Sequence, residues 1–87
     1  VQLIFTKTCE KKIKLLSPKI RIILQDKLRL LHVNPHHPSL KHHQLKGNKG
    51  GWRTVNITGD VRLVFVRAHP AVYILIDIDN HNNLYGN

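Results

Sequence analysis

Apolar residues in the first part of the chain follow the spacing of a short strand and then of a helix. Residues 1–5 are apolar and β-prone, which favours a first strand. Between Thr8 and Leu16 the apolar positions fall three or four residues apart, as they do on one face of a helix. Either Thr6 or Thr8 can supply the side-chain cap at the start of that helix.

Ser17 and Pro18 interrupt this pattern and begin a second helix. Serine is a favoured N-cap residue, and proline is tolerated in the first helical turn, where its missing N–H costs nothing. An apolar stripe then runs to Leu31, with lysines and arginines on the other side. Two short basic helices joined in this way predict a helical hairpin.

Three further apolar segments follow a polar stretch that is rich in breaker residues. The segment from His32 to Gly51 is rich in His, Pro, Lys and Gly and predicts a long loop. Residues 52–57 are β-prone, residues 61–67 alternate between two faces, and residues 72–78 form a nearly continuous apolar run, typical of a central strand. Turn residues separate them, so they predict an antiparallel meander, followed by a polar tail without periodicity.

This order of elements predicts an α+β fold in a single domain spanning residues 1–87. The predicted architecture is an N-terminal strand, a helical hairpin, and an antiparallel three-stranded meander packed on the helices. The helices are expected to cover one face of the sheet, while the other face lines a groove. The first strand is expected to pair with a later one.

The net charge of the chain indicates which classes of partner it binds. Fourteen Lys and Arg oppose five Asp and Glu, for a formal net charge of +9. A field of this strength attracts polyanions, so nucleic acid is the first candidate partner and an acidic protein the second. The single cysteine, Cys9, cannot form an internal disulfide, which fits a reducing cytoplasm. No apolar run approaches the ~20 residues of a membrane span, so no membrane partner is expected.

An ordered series of short motifs occupies the second half of the chain. They are Leu45-Lys46-Gly47, Gly51-Trp52-Arg53, Gly59-Asp60-Val61-Arg62-Leu63-Val64-Phe65, Ile76-Asp77-Ile78-Asp79-Asn80-His81 and Leu84-Tyr85. This series resembles the RelE/ParE superfamily of type II toxins, and most closely its YafQ-like and RelE-like mRNA interferases. The predicted order of strand, helical hairpin and three strands agrees with that family over the rest of the chain.

The resemblance implies an endoribonuclease that cuts mRNA on the ribosome without a metal or other cofactor. It implies attack by a ribose 2′-OH on the adjacent phosphate, in a site formed by the sheet. It also implies an acidic antitoxin that covers this site, so that the free toxin is a monomer and the neutralised toxin a hetero-oligomer. Ribosomal RNA and mRNA are the other implied partners.

Such a reaction needs a base for the 2′-OH proton, an acid for the leaving oxygen, and positive charge for the phosphorane. Histidine suits both proton transfers, because its unperturbed pKa of ~6.5 lies near neutral pH. The resemblance assigns catalysis to His81, four residues before Tyr85, which would stack on a base or orient the phosphate. The alternatives are a surface histidine in a mobile tail and an aromatic packed back on the sheet.

Two more catalytic candidates come from the resemblance, together with one departure from it. His43, just before the Leu45 motif, and Asp60 match the positions of a catalytic histidine and a catalytic acid or base in the YafQ-like branch. A solvated loop histidine and a structural turn aspartate are the alternatives. Asn56 stands where that branch has a histidine, and an amide cannot carry a proton at neutral pH.

Four basic residues are expected to contact RNA phosphates. Arg62 shares a predicted strand face with apolar residues, where a charge needs a partner such as a phosphate or an aspartate, and the resemblance implies the scissile phosphate. Arg53 matches a phosphate-binding position of RelE-like toxins, and Lys46 and Lys49 are candidate backbone clamps. A solvated surface is the alternative for the last three.

Other functions remain open at this stage. The chief alternative is a non-cleaving, ParE-like toxin that inhibits DNA gyrase, and a further one is a plain basic nucleic-acid-binding domain. The adjacent pairs His36-His37 and His42-His43 raise the question of a metal. Neighbours in a strand point to opposite sides and no Cys or carboxylate cluster accompanies them, so no metal site is predicted.

Overall fold

Helices and strands of the computed structural model follow the predicted order, with three additions. The structure describes residues 1–45 and 51–85, apart from the side chain of Tyr85. The elements are β1 (Gln2–Phe5), α1 (Lys7–Leu15), α2 (Pro18–Val33), a 3₁₀ helix (Pro38–Leu40), β2 (His43–Gln44), β3 (Arg53–Asn56), β4 (Val61–His69), β5 (Val72–Asn80) and α3 (His81–Tyr85).

The strands form one five-stranded mixed sheet with the order β1-β5-β4-β3-β2. β1 runs parallel to β5, and the other neighbours are antiparallel. The α+β class, the meander and the pairing of β1 with a later strand are therefore confirmed.

Side-chain caps fix the two long helices where the sequence predicted them. The Thr6 hydroxyl accepts a hydrogen bond from the backbone N–H of Cys9 at 3.2 Å, and so Thr6 rather than Thr8 caps α1. Ser17 caps α2 in the same way, with Pro18 in the first turn. α2 extends two residues beyond the predicted end at Leu31, to Val33.

Three short elements lie in segments that the sequence pattern left as loop or tail. Within the predicted loop, residues 38–40 form the 3₁₀ helix and residues 43–44 form β2. β2 is fixed by pairing with β3, a tertiary contact that leaves no local periodicity. α3 lies in the predicted tail, where the Asn80 side chain accepts from the backbone N–H of Asn83 at 2.8 Å, as an N-cap does.

The core lies between the helices and one face of the sheet. Its buried members come from α1, α2, the 3₁₀ helix, the strands β3, β4 and β5, and the residue that follows β3: Cys9, Leu24, Leu31, Leu40, Val55, Ile57, Leu63, Phe65, Tyr73, Leu75 and Ile78. Because Leu40 belongs to this cluster, the segment before β2 is fastened to the core. No helix within residues 1–45 and 51–85 has the length and apolarity needed to cross a bilayer.

The cap at Thr6 has a second role that the sequence did not predict. β1 pairs with β5 only as far as Leu75, and beyond it the Thr6 hydroxyl lies 2.9 Å from the carbonyl of Leu75 and 3.1 Å from that of Ile76. The same hydroxyl therefore caps α1 and hydrogen-bonds two backbone carbonyl groups of β5. This ties the start of α1 to β5, an interior strand of the sheet.

We expect Thr6→Ala to lower the free energy of unfolding by about 1–2 kcal/mol, because it removes both the cap and the bond to β5. Thr8→Ala is the matched control on the same helical turn, and should change stability by less than about 0.5 kcal/mol. Urea unfolding measures both. Equal effects of the two substitutions would contradict this role of Thr6.

Candidate active site

The cross-strand register places candidate residues on the sheet face opposite the core. Directly opposite residues in antiparallel strands point to the same side of a sheet. His43 in β2 lies opposite Thr54, Thr54 lies opposite Val64, and Val64 lies opposite Asp77. Since none of these four belongs to the core cluster, this row lies on the second face of the sheet.

A second row lies two residues further along the same strands, on the same face. It consists of Asn56, Arg62 and Asp79, which are opposite one another in β3, β4 and β5. We call the surface formed by the two rows the site face. Its members are His43, Thr54, Asn56, Arg62, Val64, Asp77 and Asp79, of which Thr54 and Val64 are fully buried.

Asp60 and His81 meet at the end of the site face. Val61 is paired with Asn80, and beyond this pair the backbone N–H of His81 donates to the carbonyl of Asp60 at 2.9 Å. The turn before β4 and the first residue of α3 are thereby joined. Both side chains are exposed, so both are accessible to a substrate.

Arg62 is held against the same turn. Its Nη1 donates to the carbonyl oxygens of Thr58 at 3.0 Å and Gly59 at 2.9 Å. These two bonds occupy one nitrogen of the guanidinium and fix the side chain beside Asp60. The fork has two other nitrogens, which suits it to bind an anion from this position.

His43 is oriented by two hydrogen bonds. Its Nδ1 lies 2.7 Å from the carbonyl oxygen of Lys41, so Nδ1 carries a proton. Its Nε2 lies 3.2 Å from the hydroxyl of Thr54, which is completely buried. In the neutral ring Nε2 is then the acceptor, which is the state a general base requires.

His43 stands apart from the other candidates on this face. Neighbouring strands are about 4.8 Å apart, so β2 lies about 10 Å from β4. Arg62, Asp60 and His81 thus lie at one end of the site, joined through the backbone of the turn before β4, and His43 lies across the sheet.

Arg53 lies on the opposite side of the sheet. It immediately precedes Thr54 in β3, and successive strand residues point to opposite faces. Its Nη1 lies 3.3 Å from Nε2 of His42, whose ring contacts core aromatics. The structure therefore does not bring Arg53 together with Arg62.

Three other predicted site residues are only partly described or not described. Lys46 and Lys49 lie outside the described residues. Tyr85 is the last residue of α3, so its backbone follows His81 by one helical turn, but its side chain lies outside the description. Their assignment to the site remains a prediction.

Two carboxylates on the site face were missed by the sequence reasoning. Asp77 and Asp79 lie 2.9 Å and 3.0 Å from Nζ of Lys12, which reaches them from α1. A signal was present in the sequence, because two aspartates at alternating positions in an apolar strand share a face. Without the register it did not show that this face also carries Arg62.

Lys12, Asp77 and Asp79 form a charged triad, in which the lysine and the carboxylates stabilise one another's charged forms. Hydrogen bonds to Asp77 and Asp79 raise the pKa of Lys12. Burial acts to raise the pKa of Asp79, but hydrogen bonds from Asn83, Lys12 and the backbone of Asn80 outweigh it and lower that pKa. One lysine and two carboxylates leave the triad with a net charge of −1.

Asp79 also connects this triad to α3. Its Oδ1 accepts from the side-chain amide of Asn83 and from the backbone N–H of Asn80, both at 2.8 Å. A chain of contacts therefore runs from Lys12 through Asp79 to the helix that carries His81. A shallow cavity of about 360 Å³ lies beside this series of contacts. It is lined by Lys12, Leu15, Leu16, Asp60, Val61, Ile78, Asp79 and Asn80.

Cys9 does not contribute a nucleophile. It is fully buried, and burial, followed by the charge of Asp77, raises the pKa of its thiol to about 11. A protonated and inaccessible thiol does not attack a substrate.

The sequence matches no protein-family model, and no curated protein is similar to it at a significant level. Solved structures do match. YafQ from E. coli superposes with a TM-score of 0.79 at 19% identity, covering 98% of each chain. The chain has the fold of the RelE/ParE-superfamily toxins.

Two further matches describe the range of this toxin fold. A YoeB/ParE toxin from Agrobacterium tumefaciens has a TM-score of 0.77 at 19% identity and covers 93% of this chain and 99% of its own. YafQ in the E. coli DinJ–YafQ toxin–antitoxin complex has a TM-score of 0.78 at 20% identity, covering 98% of this chain and 97% of its own. At these identities the likeness concerns the fold.

We expect Lys12→Met to lower the free energy of unfolding at neutral pH by about 1 kcal/mol, because it leaves two neighbouring carboxylates without their cation. The lowered pKa of Asp79 also predicts that wild-type stability falls as pH drops below the ordinary carboxyl value of 3.8 and through the folded-state value. Lys12→Met should weaken that acid dependence. Chemical unfolding across this pH range measures both effects.

Lys11→Met is the matched control, because Lys11 is exposed on the same helix and has no place in the triad. It removes the same charge from the protein and should leave the acid dependence of the wild type unchanged. An equal loss of stability in the two variants would show that net charge alone, and not the triad, was responsible.

Proposed function

We propose that this protein is the toxin of a type II toxin–antitoxin system and cleaves mRNA on the ribosome. The observation that carries the proposal is the meeting of Arg62, Asp60 and His81 at one end of the site face, within the fold of YafQ and YoeB/ParE toxins. The ordered motifs of the second half of the sequence support it independently of the fold.

In the proposed reaction a ribose 2′-OH attacks the adjacent phosphate and the 5′-oxygen leaves. Arg62 supplies positive charge to the phosphorane, where its free nitrogens face the substrate. His81 and Asp60 exchange protons with the attacking and leaving oxygens. Either can be the base, and the assignment of acid and base is left open.

His43 has a separate place in this scheme. Its distance of about 10 Å across the sheet from β4 exceeds hydrogen-bond reach to a phosphate held at Arg62. We propose that His43 exchanges one of its two hydrogen bonds, to Lys41 or to Thr54, for a bond to the ribose or phosphate of a neighbouring nucleotide when RNA crosses the site face.

The electrostatic field supports a polyanionic substrate and an acidic inhibitor. The net charge of +9 raises the encounter rate with RNA. The same charge favours an acidic antitoxin, and one of the matching structures is a toxin–antitoxin complex. We therefore propose ribosome-bound mRNA as substrate and an acidic antitoxin as partner, which covers the site face.

A non-cleaving, ParE-like toxin that inhibits gyrase is the second candidate. Asp77 and Asp79 favour it, because they place two negative charges on the site face against one lysine. Asn56 favours it too, since this position cannot transfer a proton. The two candidates share the fold and differ in whether the cluster around Arg62 performs chemistry.

We expect His81→Ala to lower mRNA cleavage by about 10²–10⁴-fold, the usual loss for a general acid or base. Arg62→Ala should cause a comparable loss through the charge on the phosphorane. The measurement is expression in a bacterium with mapping of mRNA 5′ ends on translating ribosomes. His69→Ala is the control, because His69 is exposed at the far end of β4 and should leave cleavage unchanged.

Full cleavage by His81→Ala would remove His81 from the mechanism. If wild-type protein instead inhibits DNA supercoiling and leaves mRNA intact, the gyrase candidate replaces the present one. If it does neither, the proposed toxin activity is wrong.

A further inference from the structure

His42, the neighbour of His43, faces the other side of the sheet and is fixed there by two polar contacts. Its Nδ1 lies 2.9 Å from the carbonyl oxygen of Pro35, and its Nε2 lies 3.3 Å from Nη1 of Arg53. A carbonyl only accepts and a guanidinium only donates. The ring that satisfies both is neutral, with its proton on Nδ1.

Ring contacts hold the same imidazole from the remaining sides. His36 stacks on it with ring centroids 4.4 Å apart and an angle of 3° between the planes. The edges of Phe65 and Tyr73 contact it at centroid distances of 5.2 and 6.2 Å. His42 thereby joins the segment before β2 to two core strands.

Among residues 1–45 and 51–85, β2 pairs with β3 alone and has no strand at its outer edge. It contains two residues, and the next bond is that from the N–H of Leu45 to the carbonyl of Trp52 at 2.9 Å. An element this short depends on the chain that leads into it. That chain is attached to the core by Leu40 and by the ring of His42.

We propose that His42 is a positioning residue, whose neutral ring fastens residues 35–42 to the back of the sheet and so holds His43 in place on the site face. The effect on cleavage rests on the proposed function. The effect on β2 does not, because it concerns the free protein.

The surroundings of His42 make this attachment dependent on pH. Among the residues that the structure describes, the titratable and charged groups that face it are His36, Arg53, Arg67 and Tyr73, and these include no carboxylate. Burial lowers the pKa of His42; the bond to Pro35 opposes this, and the charges of His36, Arg53 and Arg67 add to the lowering. A proton on Nε2 would remove the acceptor for Arg53 and bring two cations together.

The sign of the effect follows from the direction of the shift. Because the folded-state pKa lies below the ordinary value of 6.5, the unfolded chain binds this proton more readily. The contribution of His42 to stability is complete above 6.5 and is lost as pH falls through the folded-state value. As the pH falls, the attachment of β2 to the back of the sheet should therefore weaken, and His43 should be held less firmly on the site face.

Imidazole and amide NMR spectra of the free wild-type protein, recorded from about pH 7.5 to about pH 5, test the proposal. We expect the Nδ1–H tautomer for His42 at neutral pH and a titration midpoint below 6.5. The backbone amides of Gln44 and Leu45 should change with that same midpoint. A midpoint at or above 6.5, or a His42 titration that leaves β2 unaffected, would overturn the proposal.

Two substitutions separate positioning from general structural damage. His42→Phe keeps the ring contacts, loses the bonds to Pro35 and Arg53, and cannot be protonated, so β2 should be held equally firmly at every pH and its acid response should disappear. His42→Ala removes the attachment at every pH and should lower the hydrogen-exchange protection of Leu45 about tenfold. His69→Ala is the control and should behave like the wild type. A wild-type acid response in His42→Phe would contradict the proposal.

The pH dependence of mRNA cleavage gives a second, independent test. Wild-type activity should fall more steeply below about pH 6.5 than that of His42→Phe. If no variant cleaves mRNA, the proposed function fails while the NMR result still decides the role of His42. If cleavage occurs and both proteins have the same pH profile, His42 does not position the site.

Discussion

Antiparallel pairing of β3, β4 and β5 is the constraint on which the rest of the structure depends. The register sets Thr54 opposite Val64 and Asn56 opposite Arg62, and strand alternation then sends Val55 and Leu63 to the core side. A shift by one residue would exchange the two faces and bury Arg62. The same register leaves the turn before β4 beside the end of β5, where α3 begins. The position of the candidate site is thus a consequence of how the core is packed.

The site face carries negative as well as positive side chains, although the protein as a whole is strongly basic. The protein carries +9, yet Asp77 and Asp79 lie on the face that also presents Arg62. Lys12 on α1 forms salt bridges with both carboxylates, and Asp79 also accepts a hydrogen bond from Asn83 in α3. The carboxylates therefore have a structural explanation, as anchors of the helix that carries His81.

Much of the fold could be predicted from the sequence, because its signals are local. Hydrophobic spacing gave α1 and α2, Ser17-Pro18 gave their boundary, and alternation correctly placed Arg62 on the face of Val64. β2 and α3 were missed, since β2 depends on pairing with β3, and α3 is a five-residue helix that depends on the cap supplied by Asn80 at the end of β5. The site was predictable only as a set of residue types. Which side of the sheet Arg53 occupies, and how far His43 lies from β4, depend on the register and not on any motif.

The central claim is that RNA binds to the site face and not to the face with the helices. The most direct test is NMR mapping of the free protein titrated with a single-stranded RNA whose 2′-OH groups are replaced by hydrogen, so that no attack is possible. We predict shifts concentrated at His43, Arg62 and His81, with little change on the outer surface of α2. Shifts confined to the basic surface of α2, with the site face unaffected, would contradict the account.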